Sequence, residues 1–76
     1  MDIQGLHRLL SRLELAYYSA LSRDETPEEA AQRLRNAADN AICLETIPRS
    51  LFDYAEALAA ALDPLKLLED MRQMFR

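Results

Sequence analysis

Residues 3–21 read IQGLHRLLSRLELAYYSAL. Ile3, Leu6, Leu10, Leu13, Tyr17 and Ala20 follow one another at alternating steps of three and four. An α-helix completes a turn in about 3.6 residues, so this spacing keeps all six side chains on one face. Leu9, Ala16 and Leu21 widen the seam into a stripe. A helix so apolar along one face needs other helices to cover it. The stretch therefore predicts an all-α fold, and the rest of the chain must supply the cover.

Leu15 and Tyr18 do not follow the stripe. They lie three apart, beside Arg8, Ser11, Arg12 and Ser22 on the back of the same helix. Two readings stand. Either another helix of the chain covers them, or they form a patch for a partner protein. Asp2 is placed to cap the first turn, and Gly5 weakens that turn by about 1 kcal/mol relative to Ala.

The next segment restarts the helical pattern. Thr26 is an N-cap candidate, Pro27 fits the first helical position, and Glu29 completes a capping box. Asp24, Glu25, Glu28 and Glu29 cluster here, where the helix dipole favours negative charge. Ala30, Leu34, Ala37, Ala41 and Leu44 then form a second seam, flanked by Ala31 and Ala38. Small side chains let helix axes approach closely, which suits the larger residues of the first seam. Gln32, Arg33, Arg35, Asn36, Asp39 and Asn40 make the opposite, polar face. Cys43 reads as a small packing residue, since nothing nearby in sequence would activate a thiol.

Pro48 disfavours helical geometry at Ile47, so the second helix should end near Glu45, with Ile47 plugging the end of the bundle. Ser50 is a cap candidate for a third helix whose core stripe is Leu51, Ala55, Leu58 and Leu62, broadened by Phe52, Tyr54 and Ala59. Asp63-Pro64 then breaks or bends the helix, because the proline ring clashes with the carbonyl four residues earlier. Beyond it, Leu65, Leu68, Met71 and Phe75 form a last stripe, with Leu67 and Met74 beside it. The apolar phase continues across the proline, so one kinked helix and two separate helices both fit. The predicted fold is a small antiparallel bundle of three helices plus a C-terminal helix after an Asp-Pro break. The predicted spans are residues 2–22, 27–45, 51–62 and 64–75 of one domain.

Composition agrees. The chain has 76 residues, half of them hydrophobic, with one Gly and three Pro. That is too few turn residues for a β fold and too many apolar ones for disorder. The net charge of −4 argues against binding a phosphate backbone as the main task. Cys43 is the only cysteine and has no internal disulfide partner, which suits a reducing cytoplasm. The N-terminal MDIQGLHRLL lacks the pattern of a signal peptide, and no apolar run is long enough to span a membrane.

Chemical motifs are missing where an enzyme would need them. His7 is the only histidine and lacks a carboxylate at metal-ligand spacing. His7 with Cys43 is the only possible thiol–imidazole pair, and no signature supports it. No glycine-rich phosphate loop is present. A helix-turn-helix reading puts SLFDYAEALAAALD after the turn, and this segment carries three acids and no Arg or Lys. Arg33 and Arg35 of the second helix are then the residues a DNA-binding regulator would use.

By elimination, the sequence predicts a small non-enzymatic cytoplasmic protein–protein interaction module. A regulator, an adaptor or a secretion-type chaperone would fit. It predicts no cofactor, no metal, no nucleic acid and no membrane. The alternatives are a non-catalytic subunit of an enzyme complex and a DNA-binding transcription regulator. The apolar surplus points to a homodimer, with contacts from Leu15, Tyr18, Leu67, Met71, Met74 and Phe75.

Overall fold

The structure, a computed structural model, describes residues 3–75. Four helices and one short 3-10 turn follow in order: α1 (Ile3–Ser22), α2 (Pro27–Cys43), the turn (Arg49–Leu51), α3 (Phe52–Ala60) and α4 (Pro64–Met74). No strand occurs among the described residues. The all-α expectation holds. The proposed Asp2 cap lies outside the described residues.

The core is the two seams and what joins them. Leu6, Leu10, Leu13, Tyr17 and Ala20 of α1 are buried, as is Leu9, against Ala30, Leu34, Ala38 and Ala41 of α2. Leu51, Ala55 and Leu58 close the core from the third segment, and Leu68 and Met71 close it from the fourth. α2 is the central element, packing along its length on both α1 and α3, while α4 touches each of the others over less surface. Phe75 meets His7, and Arg72 meets Ser11 and Glu14. α4 therefore runs back along α1, its C-terminus beside the N-terminal half of α1.

Helix boundaries follow local chemistry. Thr26 Oγ1 accepts from the Glu29 backbone amide at 3.2 Å, and Pro27 opens α2. Asp63 caps α4 in the same way, accepting from the Lys66 amide at 3.2 Å, with Pro64 next. The ends of α1 and α2 share one device. Glu25 N–H returns to the Ala20 carbonyl and Asp24 N–H to Leu21; Thr46 N–H returns to Ala41 and Glu45 N–H to Ile42. Both are Schellman closures, whose left-handed residue is usually glycine. Here that residue is Asp24 (φ 64°) and Glu45 (φ 51°).

Several expectations need correction. α2 ends at Cys43, and Cys43 is exposed rather than packed. Leu44 caps α2 and is exposed, so it leaves the alanine seam. Ser50 lies inside the 3-10 turn, and no side-chain hydrogen bond caps α3. Ile3 opens the first seam but is half exposed. Leu62 is 96% exposed instead of buried. The physical reason is Ala61, which takes extended backbone (ψ 141°) and ends α3 at Ala60, so the helical phase is lost before Leu62. α3 and α4 are therefore two helices rather than one kinked helix. Ile47 is buried in the connection, as its plug role requires.

Candidate interaction surfaces

On the outer side of α1, Leu15 is 67% exposed and Tyr18 is 48% exposed. No helix among the described residues covers them, so of the two sequence readings the intramolecular one fails. Tyr18 is not loose. Its ring meets the buried Tyr17 edge to face, with centroids 5.4 Å apart and planes at 90°. The core thus anchors an exposed aromatic ring through its neighbour, the favoured geometry for such pairs.

The residues expected from the C-terminal segment do not join this face. Arg72 points at α1: its Nη2 donates to Ser11 Oγ at 2.8 Å, and its Nε lies 3.2 Å from Glu14 Oε2. That Nε is buried and not aligned to donate to the carboxylate. At about 100° per residue, Met74 lies about 160° and Leu67 about 140° around the helix from Arg72, in the same sense. Both sit on the flank of α4 turned from α1, Met74 exposed and Leu67 half-buried. Met71 is a core residue, 7% exposed, and so is not on the monomer's surface. Phe75 is half-buried and packs edge to face on Tyr54, centroids 5.5 Å apart. Of the six residues named from sequence, only Leu15 and Tyr18 form one exposed pair.

The arginines divide into engaged and unengaged. Arg33 Nε contacts both carboxylate oxygens of Glu25, at 2.7 and 2.8 Å. This hydrogen bond first, and the charge of Glu25 second, raise the guanidinium further above its ordinary pKa. Arg35 Nε donates to the Ala61 carbonyl and Nη2 to the Leu62 carbonyl, both at 2.7 Å. The two arginines a DNA-binding reading relies on are thus committed to their own chain. By contrast, Arg8, Arg12 and Arg49 have no hydrogen bond or ion pair among the described residues.

Arg8 and Arg12 line a groove of about 680 Å³ between the N-terminal half of α1 and the chain after α2. Gly5, Leu9, Ile47 and Pro48 give it an apolar floor and wall. A smaller recess of about 300 Å³ adjoins it, sharing Leu9, Arg12 and Thr46 and reaching the exposed Leu44. Among the described residues, no carboxylate lines either one. The sequence reading passed over this groove, because its far wall comes from residues 46–48, some forty positions away in the chain.

His7 lines the groove but is held at its edge. Its Nε2 lies 3.0 Å from the Phe75 carbonyl, and a carbonyl only accepts, so Nε2 carries the proton. Cys43 does not line this groove. No three His, Cys, Asp or Glu side chains converge as a metal site among the described residues. No described helix is long and apolar enough to cross a membrane. Comparison with protein-family profiles, with curated proteins and with solved structures returns no match to this chain.

Proposed function

We propose that this chain is a small, non-enzymatic protein–protein interaction module of the cytoplasm that pairs with a second copy of itself through the outer face of α1. The observation that carries the reading is the exposed Leu15–Tyr18 pair, with Tyr18 fixed against the buried Tyr17. An aromatic ring already held in place loses little conformational freedom on binding, and that favours its use as an anchor. A second copy is the simplest partner, because two-fold pairing sets the same patch against itself.

Light scattering on the purified chain at tens of micromolar tests this. The expected mass is that of two chains. Tyr18→Glu should return it to one chain, with the helical circular dichroism unchanged. A well-folded monomer in the unsubstituted protein would rule out self-association.

A further inference from the structure

We propose that the groove beside Arg8 and Arg12 is a second docking site, and that its occupant is a short acidic protein segment carrying apolar side chains. The site adjoins the Leu15–Tyr18 face along α1 but is lined by neither of those residues, and it does not depend on self-association.

Charge carries the argument. The chain holds 13 acidic and 9 basic residues, yet among the described residues no acid lines the groove or the adjoining recess. Arg23, Arg33, Arg35 and Arg72 each bond to a carbonyl, a hydroxyl or a carboxylate of their own chain. Among the described residues, Arg8 and Arg12 do not. They stand one turn apart on α1, where like charges repel. An arrangement that opposes folding and neutralises nothing internally is complementary to negative charge from outside. Arg49 follows the wall residue Pro48 in the chain and likewise has no partner among the described residues.

The floor adds the second requirement. Leu9 and Ile47 are buried beneath the groove, and Gly5 has no side chain to fill its end. The ligand must therefore present apolar side chains as well as carboxylates. Arg8 and Arg12 are about 6 Å apart along the helix axis. Two carboxylates one turn apart on a helix, or two residues apart on an extended segment, match that spacing. A long polyanion matches it less well, because the rest of the chain carries net negative charge and would repel it.

The test uses the full chain against a phage-displayed library of random twelve-residue peptides. Enriched sequences should carry an excess of Asp and Glu around an apolar residue. A fluorescein-labelled synthetic copy of the most enriched peptide should bind about tenfold or more weakly to Arg8→Gln/Arg12→Gln, and should weaken with salt. Its amide shift changes should map to Gly5, Thr46 and Ile47. Binding should survive Tyr18→Glu, which separates this site from the self-association face. No enrichment, enrichment without acids, or affinity indifferent to the double substitution would overturn the proposal. So would a labelled single-stranded oligonucleotide that binds more tightly than the peptide through the same two arginines, which would make the groove a nucleic-acid site.

Discussion

Between α1 and α2, leucines and a tyrosine of one helix settle on alanines of the other. At the joint between α3 and α4, a guanidinium from α2 holds two backbone carbonyls, those of Ala61 and Leu62. The first region is held by apolar area, the second by directed polar bonds supplied from elsewhere in the fold. The difference has a local origin. α2 starts with its own side-chain cap, whereas α3 has none and ends in three non-helical residues before Pro64. A joint that does not satisfy its own backbone groups needs an outside donor.

The comparison is broken most severely at the seam. Leu34 is fully buried at the centre of α2. Leu34→Ala should cost about 2–5 kcal/mol, because it leaves a cavity where the neighbouring helices meet. Chemical denaturation should show one cooperative loss, with amide protection falling in α1, α2 and α3 together. Loss confined to one helix would show that the seam is not the common core.

A smaller effect is expected at the joint. Arg35→Met keeps the aliphatic stem and removes the donors. Hydrogen bonds from a charged group are worth about 1.5–3 kcal/mol, and this side chain is only half-buried, so the lower end applies. Hydrogen exchange should speed first at the end of α3 and the start of α4. Equal acceleration along α1 would mean that the two regions are not energetically distinct.

The smallest effect sharpens the contrast from the capped side. Thr26→Ala removes the acceptor for the Glu29 amide and should cost about 0.5–2 kcal/mol. It should fray the first turn of α2 and leave the joint protected. An unchanged denaturation midpoint would show that the cap contributes nothing.

Some of this architecture was legible from short-range chemistry. Thr26-Pro27 and Asp63-Pro64 start helices through bonds that reach only three residues, so the signal and its effect lie in the same turn. The leucine seam of α1 and the alanine seam of α2 were legible because helical periodicity is a property of neighbours. The outward direction of Leu15 and Tyr18 was legible for the same reason, although whether another helix of the chain would cover them was not.

Other features exist only once the chain is folded. Leu44 and Leu62 fit their stripes by spacing, yet each lies just past a helix end and is exposed. Met71 and Met74 are three residues apart with similar chemistry, but one is buried and the other is not. Arg33, Arg35 and Arg72 look alike in sequence to Arg8 and Arg12, but only the first three find partners. In each case the outcome depends on what another helix presents at that point in space. Local composition and period determine where helices form and which face is apolar. Tertiary packing alone decides which apolar side chains are covered and which charges are neutralised, because both depend on contacts between residues distant in the chain.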